Sequence, residues 1–475
     1  MLKMTGILLG CWIGLTPAAA NAATPIGDQP PARALLDQLI SYRTAKGQGQ
    51  VPAMAEMLVA RLRAAGFADE DLVRVPVTVE GEKTEGLLVR FRAHPGATKR
   101  PVALLAHMDV VDAVAANWHT DPFKPTEQDG YLYGRGSLDN KFAVALLITT
   151  FERLKRAGYT PDRDIVLALC GDEETGMLTS RAMLAHPFLS HLDFALNADA
   201  GGGSRNDAGA PLEFTLQAAE KTSANFTLTT HNSGGHSALP RADNALYQLA
   251  HALVAVEALH FPVEFNEINR AMIERLSDRT TGEVTAALKT ILHDPTDRAS
   301  IAIIARRPEI AGFLWTTCVG TMAKAGNAPN ALPQNASATI NCRIMPGDSA
   351  EQIRSTLARA INDSNVQVAL DGEAVESPAS PIRADILDLL AHGVQANYPG
   401  FVPTPTMSMG GTEGREYRRS GIPTYGAGSI LKTPGDNRAH GVDERLPLDS
   451  FYKEVAYWDV VIHLLGGPGG ESPRG

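Results

Sequence analysis

Short, unbroken apolar runs alternate with helical periodicity in this chain, give way to a different pattern in the middle, and return near the end. Residues 101–106, 165–169, 194–197 and 423–425 read as strands without a polar face, separated or flanked by helical stretches at 32–66, 142–157, 181–185, 386–396 and 450–465. A strand apolar on both sides must be covered on both sides, which calls for a mostly parallel sheet between two layers of helix. Between these blocks the signal changes. Residues 226–230 and 336–344 alternate polar with apolar, as half-exposed antiparallel strands do, and 242–259 and 351–361 are helical. The expected architecture is α/β: one domain built from 23–215 and 378–466, interrupted by an α+β domain at 216–377 and followed by a Gly/Pro-rich tail at 467–475.

Composition narrows the function classes. Lys plus Arg is 43 and Asp plus Glu is 53, a net charge of −10, which argues against non-specific nucleic-acid binding or a polybasic membrane contact. Lys3, the apolar run 7–15 and Ala20-Asn21-Ala22 read as a secretory signal peptide over 1–22, too short in its apolar part to span a bilayer. The expected location is therefore secreted or periplasmic. Leu8-Leu9-Gly10-Cys11 offers a lipoprotein anchor as a minority alternative. Of the remaining cysteines, Cys170 sits in an apolar run and reads as a buried thiol, while a Cys318–Cys342 disulfide is left open.

The residues following the parallel runs carry the chemistry. His107-Met108-Asp109 follows the first, Asp172-Glu173-Glu174 the second, Asp199 the next, and His440 lies in a loop after the last; Asp139 closes a glycine-rich loop ahead of a helix. Sites in open α/β sheets form beyond the carboxyl ends of the strands, so two histidines and several carboxylates should meet at one edge. Carboxylates converging in that number repel unless cations join them, and imidazole plus carboxylate suits a pair of zinc ions. Asp139 is the natural bridge, with a water shared between the ions. One of the adjacent pair Glu173-Glu174 can then bind metal while the other stays free as general base. Asp109, two residues beyond His107 on an extended chain, is placed to accept the second ring N–H. Taken singly, each residue has a plain structural reading: Asp139 as a helix cap, Glu173-Glu174 as a solvated pair, His440 as a surface histidine. Their joint order after the right elements is what favours the site.

The middle segment adds Ser233-Gly234-Gly235-His236-Ser237, a glycine-flanked turn whose imidazole could donate to an oxyanion. Asn330, Arg343 and the backbone-rich Gly410-Gly411-Thr412 are candidates to hold a substrate carboxylate.

These motifs resemble the co-catalytic zinc peptidase and amidohydrolase family of aminoacylase, carboxypeptidase G, carboxypeptidase S and acetylornithine deacetylase. The matching segments are Leu105-Ala106-His107-Met108-Asp109, Gly134-Arg135-Gly136-Ser137-Leu138-Asp139-Asn140-Lys141, Asp172-Glu173-Glu174-Thr175-Gly176, Gly235-His236-Ser237 and Asn330-Ala331-Leu332-Pro333. Trp118, Asp121-Pro122-Phe123 and Asp129–Gly136, with an enlarged insertion at about 262–318, resemble the carboxypeptidase S and N-acyl-amino-acid hydrolase branch. The resemblance implies a zinc peptidase-like fold with an inserted lid or dimerisation domain and two Zn2+, with Co2+ or Mn2+ as alternatives. One ion falls to His107 and Asp199, the other to Glu174 and His440, with Asp139 bridging. Glu173 is implied as general base on the bridging water, His236 as a donor to the tetrahedral intermediate, in many members across a homodimer. The implied substrate is a short peptide or an N-acyl amino acid with a free carboxylate. Two departures stand out: Asp199 where the branch usually has Glu, and Glu413 after Thr412 where Asp is expected.

Two other functions compete. A zinc aminopeptidase has the same ligand order but lacks the insertion that fills the long stretch between Asp199 and His440. A secreted binding protein that lost catalysis would have no use for Glu173.

Overall fold

A computed structural model describes residues 29–467. The expected signal peptide, Cys11 included, lies outside the described residues, as does the expected tail beyond its first residue.

Eight strands form the large sheet, in the order Leu72–Val79, Glu82–Phe91, Ile165–Cys170, Val102–His107, Phe194–Arg205, Thr424–Lys432, Pro211–Glu220, Pro403–Ser408. The centre is parallel: Val102–His107 runs with Ile165–Cys170 on one side and Phe194–Arg205 on the other, and Thr424–Lys432 continues the direction. The hairpin at Leu72–Phe91 closes one edge antiparallel. Every residue of Val102–His107 and Ile165–Cys170 is buried, as strands without a polar face require. The helices Gln29–Ile40, Lys141–Arg156 and Leu448–Gly466 share the larger core with Leu104, Leu167 and Leu196. Cys170 is buried and free, on the opposite face with Leu105 and Met183.

The four-stranded antiparallel sheet is Thr317–Ala325, Asn335–Ile344, Thr222–His231, Val366–Asp371. Inward residues of Asn335–Ile344, such as Ala336, Ala338 and Ile340, are buried alternately and pack with Leu249 and Leu357 of the helices Ala245–Glu257 and Ala350–Ile361. Ser349 caps the second helix through Gln352 in a capping box. Cys318 and Cys342 face each other in register and are joined by a disulfide.

Two features depart from the expected division of the chain. The strand Pro211–Glu220 runs across the expected 215/216 boundary within the large sheet, so the change of pattern falls at Lys221. Much of the enlarged insertion is not part of the α+β sheet. Its helices Glu267–Arg279, Glu283–His293 and Arg298–Ala305 build a small core of their own around Ile273, Leu288, Ile291 and Ile304. The first of them, Glu267–Arg279, rests on the edge strand Pro403–Ser408, with Ile268 reaching the large core.

Candidate metal centre

His107 is the last residue of its strand and is fully buried. Its Nδ1 lies 2.9 Å from the backbone oxygen of Asp109, which leaves Nε2 facing outward, 2.9 Å from Oδ1 of Asp139 and 3.6 Å from Oδ1 of Asp199. The expected role of Asp109 needs correction here. Its carboxylate is 3.6 Å from Nδ1 and is engaged elsewhere: the two oxygens accept the backbone N–H groups of Glu173 and Glu174, each at 3.0 Å. Asp109 therefore shapes the turn that carries the glutamates, and its carbonyl sets the imidazole tautomer.

That turn begins where Gly171 passes under the neighbouring strand. A Cβ there would come within 2.1 Å of the Glu85 carbonyl oxygen. Asp172 then accepts from Leu178 N (2.7 Å) and Thr179 N (2.9 Å), anchoring the other end.

Asp139 lies between the two histidines. Oδ1 faces His107, and Oδ2 is 3.0 Å from His440 Nε2, which is also 3.0 Å from Oε1 of Glu174. Two of the expected ligands are thus joined through a third, one carboxylate oxygen to each imidazole. Glu173, although adjacent to Glu174, turns to a different group: single ligand atoms of Glu173, Asp199 and Glu413 lie within 4.8 Å of one another, as do those of His107, Asp139 and Glu174. Asp199 is not at a strand end as expected. Its strand runs on to Arg205, and the register against Thr424–Lys432 slips at Gly426 and Gly428. The glycines make this slip sterically feasible: Gly201 has φ +87°, and a Cβ on it would be 2.7 Å from the Gly426 oxygen.

The electrostatics are those of a site short of positive charge. Burial and the neighbouring Asp139 push Asp199 up to about 6. Burial, then Asp199 and Glu413, push Glu173 well above the usual glutamate range. His440 is raised to about 10 by its bonds to Asp139 and Glu174. Burial works against a charge on His107, yet Asp199, Asp109 and Asp139 outweigh it and raise the imidazole. The donor set of two imidazoles and convergent carboxylates fits two divalent ions. His107 and Asp199 could hold one, Glu174 and His440 the other, with Asp139 between them.

A buried ion pair that the sequence alone does not single out holds the two loops together. Arg135 Nη1 is 2.6 Å from Glu444 Oε2, and both side chains are buried. Glu444 Oε1 accepts from Leu138 N (2.8 Å) and Asp139 N (3.0 Å), while Arg135 donates to the Gly441 carbonyl at 3.0 Å. Asp139 and the His440 loop are thus clamped to one another. Two signals point to the pair in the chain itself: Arg135 lies inside a family motif, and Glu444 follows His440 by one helical turn's spacing.

The expected residues of the middle segment do not join this cluster. His236 and Asn330 do come together: the short strand Gly235–His236 pairs with Ala331–Leu332, and Ser237 N donates to the Asn330 oxygen at 3.1 Å. Both residues are exposed, and among the described residues neither shares a hydrogen bond or ion pair with the carboxylates. Arg343 is half-buried on the strand Asn335–Ile344 and acts electrostatically on Lys221. Thr412 is a correction. It is buried, and its amide (2.9 Å) and hydroxyl (3.2 Å) both donate to Glu220, whose charge is also paired with Arg418. Its donors are taken, so it cannot hold a substrate carboxylate; Gly411 beside it remains exposed.

The profile of Peptidase family M20/M25/M40 matches residues 103–463. The chain belongs to this family. It is a metallohydrolase acting on amide bonds. It is 28% identical to the human N-fatty-acyl-amino acid synthase/hydrolase PM20D1 over 368 residues, 75% of this chain and 72% of that one. It is 26% identical to the probable carboxypeptidase S-like 2 of Dictyostelium discoideum, over 77% of this chain and 71% of that one. The fold matches the M20 family metallo-carboxypeptidase Sso-CP2 from Sulfolobus solfataricus, with a TM-score of 0.64, 15% identity and 91% and 98% of the two chains covered. It also matches the di-peptidase Dug1p of Saccharomyces cerevisiae, with a TM-score of 0.65, 16% identity and 94% and 97% covered.

Proposed function

We propose that this chain is a two-zinc hydrolase that releases an amino acid from an N-acyl amino acid or short peptide bearing a free carboxylate. One observation carries the reading: Asp139 offers an oxygen to each of His107 and His440, while the adjacent Glu173 and Glu174 turn to different groups. When bound, two zinc ions polarise the scissile carbonyl and make water more acidic.

The chain's own residues do the rest. Glu173, enclosed among like charges that together with burial outweigh the pull of His107, takes a proton from water and passes it to the leaving amine nitrogen. Asp109 fixes the turn that keeps Glu173 and Glu174 apart. His236 donates to the oxygen that gains charge on the attacked carbonyl. Because it is exposed on the smaller unit, it must arrive by closure of that unit or from a second copy in a homodimer. Arg343 is the candidate for the substrate carboxylate. The names of the relatives, an N-fatty-acyl-amino acid hydrolase and carboxypeptidase S-like proteins, support this substrate class. Secretion to the periplasm or beyond completes the proposal, and the Cys318–Cys342 disulfide suits an oxidising compartment.

The test is a hydrolysis screen of N-acyl amino acids and dipeptides with zinc present, reading released amino acid. Release from these small substrates, abolished by a chelator and restored by zinc, is expected. Cleavage of folded proteins with none of these small substrates turned over would overturn the reading.

A further inference from the structure

Glu413 is the acidic residue of the site that the expected ligand set leaves over. It is 1% exposed, and neither carboxylate oxygen has a hydrogen-bond partner. The neighbouring Asn197, whose Nδ2 also lacks a well-formed hydrogen bond, and His107 both favour its charge, but burial outweighs them. The arginines that follow it in the chain are committed elsewhere: Arg418 pairs with Glu220 and donates to Ser377 and the Thr424 carbonyl, and Arg415 lies 3.8 Å from Glu416. The backbone on either side is fixed, with Thr412 tied to Glu220 and Gly414 N donating to Thr412 Oγ1 at 3.1 Å. The side chain is therefore aimed by anchored neighbours at Asp199 and Glu173, within 4.8 Å between ligand atoms. A buried carboxylate with no well-formed hydrogen bond and only the shared charge of His107 to oppose its own is costly, and metal coordination is one of the few circumstances that compensates it.

We propose that Glu413 is a ligand of the ion held by His107 and Asp199. The assignment rests on the two-metal reading above. It gives the departure at this position a reason: a glutamate carries its carboxylate about 1.5 Å, one C–C bond, further than the expected aspartate, toward Asp199 and Glu173. It also explains how Glu173 stays free. With Asp199 and Glu413 both engaged by the ion, Glu173 is the one carboxylate of its group not bound to metal.

The experiment measures zinc content by mass spectrometry, zinc affinity by competition with a chromophoric chelator, and thermal melting with and without zinc, in the full chain and its E413Q and H440A variants. Wild type is expected to bind two equivalents. E413Q should keep the ion that H440A loses and bind the other at least tenfold more weakly. Without metal and above pH 8, where Glu413 is ionised, E413Q should melt above wild type, since a buried charge is gone, while gaining less from zinc. E413Q binding two equivalents at wild-type affinity overturns the assignment. A wild-type chain that binds no divalent metal overturns the two-metal reading itself. Should E413Q not fold, E413D retains the charge on a shorter arm: a tenfold weaker site supports ligation, and unchanged affinity overturns it.

Discussion

The carboxylate cluster and the His236 turn are two halves of one proposed reaction, yet the fold treats them differently. The cluster is largely enclosed, with His440 alone of the expected ligands exposed; the ligands come from strands and loops around a single sheet edge, and the loops of Asp139 and His440 are clamped by Arg135 and Glu444. The His236 turn is exposed, with its backbone paired to Ala331–Leu332 and Asn330 and its Nδ1 accepting from Ala238 N. Metal-holding groups must be preorganised, because their mutual repulsion is overcome at folding. An oxyanion donor is needed only once substrate is present, so it can sit on a unit that moves or on another molecule.

The largest effect that tests this contrast is at Glu173. E173Q should bind the same two equivalents of zinc as wild type and lose about 10²–10⁴-fold in kcat, the range for a general acid–base. Near-normal kcat would move the base elsewhere and leave the cluster a purely metal-holding structure.

Next comes the other half. H236A should leave zinc content and melting untouched and reduce kcat by about 10²–10³-fold, as loss of an oxyanion donor does. Mixing H236A with E173Q then sharpens the comparison. Activity regained in the mixture means that the histidine serves a partner's site; none regained means that the smaller unit closes over its own.

The order of these residues along the chain makes the cluster legible from sequence. His107, Glu173, Glu174 and His440 each follow a parallel strand, and the sheet-edge rule brings such positions together. What sequence does not convey is which atoms do the orienting. At Asp109, side chain and carbonyl are both within reach of His107, and only the turn at 173–174, which takes the carboxylate, decides between them. Thr412 reads as an open polar loop because Glu220, distant in sequence, is what consumes its donors. Asp199 is displaced from a strand end by a register slip that glycines allow but do not announce. The fold divides in the same way: the apolar strands and the capped helix Ala350–Ile361 are readable from local pattern, whereas the packing of Glu267–Arg279 on the edge strand Pro403–Ser408 is a tertiary choice.

A smaller effect probes the clamp. Removing the charge of Glu444 leaves Arg135 buried without its counter-ion, a loss of about 3–5 kcal/mol in unfolding free energy. Denaturant titration of E444Q measures it. Replacing both residues by apolar ones of similar volume should recover much of that stability, since a buried pair contributes little net over good packing. Activity should not return, because Leu138 N and Asp139 N have lost the acceptor that places the Asp139 carboxylate. Recovery of both would show that the clamp is structural only.

The smallest effect is the pH dependence of the metal-free protein, and its sign follows from the groups. Asp199, raised from 3.8 to about 6, and Glu413, raised from 4.5 to about 8, both chiefly by burial, hold more protons folded than unfolded across the interval between their two values. Unfolding free energy therefore falls as pH rises through it. His440, raised from 6.5 to about 10, acts in the same direction: its stabilising contribution is complete below 6.5 and is lost as pH rises toward 10. Lys141 and Lys221, which burial lowers from 10.5 to about 7, act in the opposite direction, mainly above pH 7. Between pH 5 and 7 the metal-free chain should melt at progressively lower temperature. Zinc should flatten or reverse that slope, because its ligands bind as the deprotonated groups that rising pH supplies. A melting temperature of the stripped protein that climbs from pH 5 to 7 would mean that the cluster is not the buried acidic assembly that sets it apart from the exposed His236 turn.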